Sequence, residues 1–454
     1  MSALDSSASA RLIRLGQLIN EPLVQSNLPD GYYEDIAADL ETIRLQGADA
    51  VSEETLLSLI ELVDEYESWL EKFSNQPPAF TAARLGDQAE VERILNAGFD
   101  VDSKDADGLT MLMLAASNGN VDIASLLLRR GADIDVECED QEDIDAMMLA
   151  CANGHAAIAL LLLDKGAATN KRYALDSSQG RIGNQTVLSV AASRGYLNVC
   201  RVLINKGADL DVIADSGYTP VMCALVNGAS EDAAEMLLDA GANPDPVIQP
   251  VEALSENLTS PLILAAMNGL SRIVLKLIGL NVSLDAQDSS GWTALKHACS
   301  MGRDDIVKAL IDAGADVNLA DEEGWTPLIA ASSIAAWSTI ELLIDAGAEV
   351  NATAEFGTCA LREVVNRRFL RHSIVLLSKL SGSEVDPEQE EASDIALAFA
   401  EKLLLAGAEA DVAFDDEGEI KLIDEAKEQG DDALRVLLEK FGAKATSTLE
   451  GEEG

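Results

Sequence analysis

Positive charge is scarce in this chain of 454 residues, in which 32 Lys and Arg accompany 79 Asp and Glu and the formal net charge is -47. Nucleic acids and anionic membranes are bound through clustered cations, because their phosphate groups repel a surface this negative. The composition therefore argues against nucleic-acid and membrane partners. Aromatic residues are also few, at 4% of the chain, so a position that several of them share is informative.

Long apolar runs and paired cysteines are missing as well. No run reaches the roughly 18 residues of a membrane-spanning helix, and the stretch 157–166 ends in a charge and a glycine. The N-terminus carries Asp5 and no sustained apolar core, unlike a secretory signal. Six cysteines lie far apart without a Cys-x-x-Cys pair. These features predict a reduced, cytoplasmic protein.

Side chains for catalysis and metal binding are few. The three histidines, His155, His297 and His372, have no metal-ligand spacing and no cysteine near them in sequence. The acidic turns at 103–108 and 413–424 lack a ligand at the first position of a calcium loop. We therefore expect no enzyme, no metal site and no cofactor. An active site would require His297 or His372 to meet a cysteine or carboxylate in a cleft.

One phrase recurs along the chain, an apolar helical run that ends in Gly-Ala and continues into Asp or Asn. Its anchoring glycines are Gly98, Gly131, Gly166, Gly207, Gly241, Gly314, Gly347, Gly407 and Gly442. Asn281 takes the slot between Gly241 and Gly314, and Asn enters the left-handed conformation readily. Most spacings are 33–35 residues, which predicts a repeat array. Insertions at 171–185 and 244–259 should lengthen loops, whereas the acidic insertion 382–394 should precede an extra helix.

A second phrase follows about ten residues after the anchors, as in SGYTPVMCALVNG (216–228) and GWTPLIAASS (324–333). Thr caps free amides at a helix start, and Pro fits the first turn. Together the two phrases resemble the ankyrin-repeat family, in which a hairpin precedes a TPLHLAA-type first helix and the second helix ends in LL-x-x-GA. Asp143 replaces the hairpin glycine of one repeat, and Ala335 replaces the glycine in the middle of another repeat. The resemblance implies an all-α solenoid of helix pairs that binds other proteins.

The chain divides into three predicted segments. Residues 1–76 lack the period but have helical spacing, which favours a helical N-terminal cap over a separate partner-binding or dimerising module. Residues 77–444 form the solenoid of about ten units, eroded after residue 357, and residues 445–454 are predicted to be a disordered acidic tail. The basic segment 366–379, with Arg367, Arg368 and Arg371, is either an anion site or, as we favour, neutralised internally by the acidic insertion.

The remaining candidate for a functional site is a surface. In the ankyrin-type architecture the residue after the hairpin glycine points toward a concave groove. That slot holds Leu109, Tyr218, Trp292 and Trp325, with Asp288, Asp321, Glu322 and Glu323 beside the two tryptophans. Trp and Tyr are frequent hot spots, and an acidic aromatic groove suits an Arg or Lys of a partner. Alternatively, the rings only stiffen the neighbouring hairpins.

The sequence thus predicts a non-catalytic protein–protein interaction module or scaffold that binds a partner protein with a basic surface. Its oligomeric state is left open. A rival hypothesis is an inhibitor or immunity-type protein whose acidity occludes a basic enzyme by mimicking nucleic acid. A third is that the acidity is an adaptation to a salty cytoplasm and is unrelated to partners.

Overall fold

The structure, a computed structural model, describes eight stretches of the chain. They are residues 78–138, 144–175, 182–214, 216–226, 230–246, 259–381, 387–413 and 421–444. The predicted cap at 1–76, the tail at 445–454 and Asp143 lie outside them. The described residues divide into two compact units on either side of position 215. Each unit is built from consecutive helix pairs, whose first and second members we call inner and outer helices.

The described part of the first unit holds four helix pairs and one β-hairpin. The helices are α1 (Pro78–Leu85), α2 (Gln88–Asn96), α3 (Met111–Ser117), α4 (Val121–Arg129), α5 (Ala146–Ala152), α6 (Ala156–Asp164), α7 (Val187–Ser193) and α8 (Leu197–Asn205). Between α6 and α7, strands β1 (Arg172–Leu175) and β2 (Ile182–Thr186) pair antiparallel, with Arg172 opposite Thr186. The array of helix pairs is therefore as predicted, except for this small sheet.

The described part of the second unit holds six helix pairs. They are α9 (Pro220–Leu225), α10 (Glu231–Asp239), α11 (Pro261–Met267), α12 (Ser271–Gly279), α13 (Ala294–Ser300), α14 (Asp304–Ala313), α15 (Pro327–Ser333), α16 (Trp337–Asp345), α17 (Ala360–Ser381), α18 (Pro387–Leu405), α19 (Leu422–Glu428) and α20 (Asp432–Lys440). The inner helices α11, α13, α15 and α17 pack against one another in chain order, and the outer helices α12, α14 and α16 do the same. Fully buried alanines such as Ala265 and Ala331 allow this close approach.

Most inner helices begin at a side chain that accepts the backbone N–H three residues later. These caps are Thr110, Asp145, Thr186, Thr219, Ser260, Thr293 and Thr326. A proline follows the cap in α9, α11 and α15, where its missing N–H leaves no bond unmade. The role expected for the Thr-Pro phrase is thereby confirmed.

The turn slots adopt the left-handed backbone that the repeat pattern predicts. Gly314 ends α14 at φ 95°, and Asn281 takes the equivalent slot at φ 58°. Ala335 lies at φ 60° in the turn between α15 and α16, at a position that glycine occupies in other repeats. Alanine has no side-chain group to offset this conformation, so Ala335 carries backbone strain.

All six cysteines lie in the described residues, buried and outside any disulfide. Burial raises the pKa of the Cys200 thiol to about 11, which keeps it protonated and unreactive near neutral pH. His155 has a structural role, because its Nε2 lies 3.0 Å from the carbonyl oxygen of Ser117 in the preceding repeat.

The insertion at 171–185 contains the β-hairpin rather than only a longer loop. Its anchor is Tyr173, whose buried hydroxyl donates to the Asp145 carboxylate at 2.9 and 3.0 Å from the two oxygens. Lys171 binds the same carboxylate at 2.8 Å and Glu137 at 2.5 Å. The insertion therefore packs against the repeat that precedes it. Of the insertion 244–259, residues 247–258 lie outside the described residues.

The insertion at 382–394 does not precede an extra helix. Residues 387–394 belong to α18 itself, which is the outer partner of α17. These helices have 19 and 22 residues, where inner and outer helices elsewhere have 6 to 10. The wide spacing between Gly347 and Gly407 therefore comes from lengthening both helices of one pair.

Arg368 of the basic segment is neutralised internally by Asp431, which lies outside the acidic insertion. Its Nε and Nη2 lie 2.6 and 2.8 Å from the two carboxylate oxygens of Asp431, and Nη1 donates to the Ser393 carbonyl oxygen at 2.6 Å. Both partners of the ion pair are buried. Arg367 donates to the Ser333 carbonyl oxygen. The side chains of Arg371 and His372 lie outside the described residues.

Candidate functional site

Two neighbouring hairpins of the second unit form an open recess of about 560 Å³, which we call the tryptophan recess. It is lined by Ser290, Trp292, Ser300, Asp321, Glu322, Glu323, Trp325, Ala330 and Ser333. Five of the eight residues proposed from the sequence therefore lie together here. The hairpins contribute both tryptophans, and α13 and α15 contribute the small side chains of the floor.

The two hairpins are held by aspartates at their first position. Asp288 Oδ1 accepts the backbone N–H groups of Ser290 and Trp292, both at 2.9 Å. Asp321 Oδ1 accepts those of Glu323 at 3.0 Å and Trp325 at 2.7 Å. An Asp side chain in this role replaces a backbone turn bond and fixes the loop. Part of each carboxylate is thus committed to positioning its own tryptophan.

Lys296 on α13 is the cation beneath the recess. Its side chain is buried, its Nζ pairs with Asp321 Oδ2, and the same Nζ lies 4.1 Å from the centre of the Trp292 ring. Desolvation lowers the pKa of Lys296 from its ordinary value, and the hydrogen bond to Asp321 opposes that shift. One face of Trp292 is therefore already occupied by an internal cation, an arrangement that rigidifies the ring.

His297 completes the support of Trp292. Its Nε2 lies 2.7 Å from Asp288 Oδ2, and its ring centre is 4.9 Å from that of Trp292. The contact with a carboxylate that an active site would require is therefore present, but neither His297 nor Asp288 is among the residues that line the recess. Asp288 and Asp321 consequently direct one oxygen at the loop backbone and the other at a side chain of α13. Glu322 and Glu323, in contrast, are exposed at the rim.

Trp325 differs from Trp292 in its surroundings. Within the described part of the chain, no aromatic ring stacks on Trp325 and no cation lies over it. Its backbone is fixed by Asp321, but its ring faces the recess beside Glu322 and Glu323. A flat π-face next to two exposed carboxylates is suited to a positively charged group.

Leu109 and Tyr218 do not line the tryptophan recess. Leu109 belongs to the first unit, where Asp105 Oδ1 accepts its N–H at 2.9 Å. Tyr218 begins the second unit, and burial raises the pKa of its hydroxyl. These two residues and the two tryptophans therefore share a preceding glycine with positive φ, but they do not share a site.

Sequence reasoning missed Lys296 and the serines of the recess. Lys296 stands at the His position of the TPLHLAA-type phrase, which is an inner-helix position next to the core. A lysine there needs a carboxylate partner, and the aspartate of the following hairpin is the nearest in the repeat pattern. That signal was available in the sequence. Ser290, Ser300 and Ser333 carry no comparable signal, since small polar residues are common at such positions.

Metal binding and membrane insertion find no support in the described residues. Among them, no three His, Cys, Asp or Glu side chains are grouped so that they could hold a metal ion. No described helix combines the length and apolarity needed to cross a bilayer.

Comparison with known proteins gives one family and several partial relatives. Residues 79–173, 172–247 and 262–354, together more than half of the chain, match the family model described as ankyrin repeats. The chain is similar to human ankyrin repeat and SOCS box protein 16, with 31% identity over 121 residues, 26% of this chain and 25% of that protein. It is similar to ankyrin repeat and KH domain-containing protein mask-1 of Caenorhabditis elegans, with 28% identity over 159 residues, 35% of this chain and 6% of that protein.

A third relative is an enzyme by name. Glycerophosphocholine phosphodiesterase gde1 of Schizosaccharomyces pombe is 43% identical over 68 residues, which are 15% of this chain and 6% of that protein. The chain spans a quarter or less of the length of each of these three relatives. The similarity therefore concerns the repeats rather than whole proteins.

Proposed function

The chain belongs to the ankyrin-repeat family, and on that basis we propose that it is a non-catalytic module that binds a partner protein through the tryptophan recess. Ankyrin repeats are generally protein–protein interaction modules and are typically not catalytic. The partner segment proposed here is basic. Six buried thiols support a reducing compartment such as the cytoplasm as the place where it acts.

The proposal rests on one observation: the same recess is lined by Trp292, Trp325, Glu322 and Glu323. Trp292 is held from below by Lys296 and His297, so it loses little freedom when a partner packs against it. Trp325 offers its ring beside the exposed carboxylates. A guanidinium or ammonium group of the partner would lie over Trp325 and pair with Glu322 or Glu323.

The first experiment isolates Trp325. The partner is identified by affinity purification and mass spectrometry, and binding is then measured with purified proteins. Trp325→Ala should weaken binding by about 2 kcal/mol, a factor of roughly 30, as expected for a hot spot. The control is Leu275→Ala, which removes an exposed apolar side chain from the outer helix α12. Unchanged binding of Trp325→Ala with a lowered melting temperature would show that the ring is hairpin packing.

The second experiment isolates the rim charges. Asp321 is left intact, because its pairing with Lys296 would confound binding with folding. Glu322→Gln with Glu323→Gln should slow association and flatten its salt dependence. The matched control, Asp312→Asn with Asp345→Asn, makes the same change in net charge on exposed positions of α14 and α16. Equal weakening by both pairs would favour the rival inhibitor hypothesis, in which overall acidity rather than the recess determines affinity.

A further inference from the structure

The hairpin at 354–358 differs from the two that form the tryptophan recess. Ala354 stands at the first position of its hairpin, where the other two hairpins have Asp288 and Asp321, and it has no carboxylate to accept the backbone N–H groups of the loop. The loop instead forms a tight turn in which Phe356 has φ 56° and ψ 25° and Gly357 has φ 69°. Turns with two left-handed central residues favour Asn, Asp or Gly at the first of them. Phe356 therefore sits in a conformation that its side chain disfavours.

Packing does not explain why a phenylalanine occupies this strained position. Its side chain is 68% exposed, so it contributes little apolar burial to the folded chain. Residues in disfavoured backbone conformations are concentrated at functional sites, where the surroundings or a ligand make use of them. A strained and exposed aromatic side chain has no evident benefit to folding.

Phe356 lies next to the tryptophan recess. The Glu355 N–H donates to the Glu323 carbonyl oxygen at 2.9 Å, which ties the tip of this hairpin to the preceding one. The backbones also approach closely, because a Cβ on Gly324 would lie 3.0 Å from Ala354 Cα. The row of hairpin tips thus continues from the recess to Phe356, with exposed Glu355 between them.

We propose that Phe356 is an apolar anchor for the same partner segment that enters the tryptophan recess. This inference rests on the proposed function, since it assumes a basic segment at Glu322 and Glu323. Neighbouring packed elements lie about 10 Å apart, and an extended chain advances about 3.3 Å per residue. Because successive side chains of an extended chain point to opposite faces, the partner segment should carry an apolar side chain two or four residues from the Arg or Lys at Trp325.

Phe356→Gly distinguishes a role in binding from a structural role, because it should weaken partner binding without lowering the melting temperature. Glycine relieves the left-handed strain and removes a largely exposed ring, so the melting temperature should rise or stay unchanged. Binding of a segment with both basic and apolar residues should weaken about tenfold. The matched control is Ala335→Gly, which relieves the same kind of backbone strain at φ 60° in the turn between α15 and α16. It should stabilise the protein and leave binding unchanged.

The probe is a pool of short synthetic peptides with fixed arginines and randomised positions between them, selected on each variant of the full chain. The wild-type protein should enrich an apolar residue two or four positions from an arginine, and Phe356→Gly should retain arginine peptides without that enrichment. Trp292→Ala with Trp325→Ala should lose arginine peptides altogether. Equal apolar enrichment on Phe356→Gly and wild type, or none on wild type, would overturn the role of Phe356. Retention of arginine peptides by the tryptophan variant would instead overturn the proposed function.

Discussion

Lys296 illustrates how a single residue links the core to the candidate site. A buried amine is costly unless it is paired, because its charge loses the solvation of water. Here Asp321 comes from the next hairpin and Trp292 from the preceding one, so the cation joins two repeats while it supports the ring. The same contacts commit Asp288 and Asp321 to the fold, which leaves Glu322 and Glu323 as the carboxylates available at the rim.

Lys296→Met should lower the free energy of unfolding by about 3 kcal/mol, because Asp321 then remains buried without its cation. Lys296→Met combined with Asp321→Asn should recover part of that loss, since the stranded charge is gone. Urea unfolding of the two single variants and the double variant gives the coupling energy. Strictly additive losses would contradict the ion pair.

At the scale of elements, repeat boundaries depend on left-handed turns and on a few long-range contacts. Gly314 ends α14 at φ 95°, a conformation that side chains with a branched Cβ resist. In the lengthened pair, α17 presents Arg368 to Asp431, which also caps α20 through the Leu434 N–H at 3.1 Å. A buried ion pair therefore connects the last helix pair to α17.

Gly314→Val should locally unfold the repeats around residues 292–347, because valine resists the left-handed turn that separates them. Repeats contact mainly their neighbours, so the loss should not spread along the array. Hydrogen exchange measured by mass spectrometry should show faster exchange in those repeats and unchanged protection in the first unit. Gly314→Asn is the control, since asparagine tolerates this backbone, as Asn281 does. Full protection of 292–347 in Gly314→Val would contradict the prediction.

Arg368→Met should release the last helix pair, because it removes the buried cation that pairs with Asp431 while it keeps much of the apolar side-chain volume. Exchange should accelerate over 421–444, and the tryptophan recess should stay protected. Arg435→Met serves as the control, since it removes an arginine from the exposed face of α20, where its ion pairs contribute little. Equal exchange in the two variants would argue against a role for the buried pair.

For the whole molecule, the dominant quantity is the net charge of -47. Many of the few cations are already engaged within the fold: Lys296 and Arg368 are buried, and Arg272 contacts Glu231, Asp232 and Glu235. Excess carboxylates therefore repel one another across the surface. The same excess would steer a basic partner toward the chain at long range.

Added NaCl should raise the melting temperature, because it screens this repulsion. Between ionic strengths of about 0.01 and 0.15 M the screening length falls from about 30 to about 8 Å, so distant carboxylates cease to interact. Exposed ion pairs weaken over the same range, but each contributes at most about 1 kcal/mol, and acids far outnumber bases. KCl should act equally, since ionic strength and not the ion is responsible. A falling melting temperature would show that exposed ion pairs outweigh the repulsion.

The sequence by itself determined the repeat architecture. Local patterns indicate the helix starts at Thr caps, the left-handed turns at Gly314 and Asn281, and the position of Trp292 and Trp325 after their hairpin glycines. These features are predictable because each repeat forms its own caps and turns within a few residues. The hairpin positions of both tryptophans therefore follow from the order of residues alone.

Only the tertiary structure decided which residues are joined over long distances. Tyr173 and Asp145 are 28 residues apart, and Arg368 and Asp431 are 63 apart. No local propensity encodes such a pairing, since it depends on which helices pack together and on which buried charge needs a partner. The lengthened α17–α18 pair and the β-hairpin were missed for the same reason. The repeat spacing shows how many residues an insertion has, but the conformation of the insertion depends on the surface against which it packs.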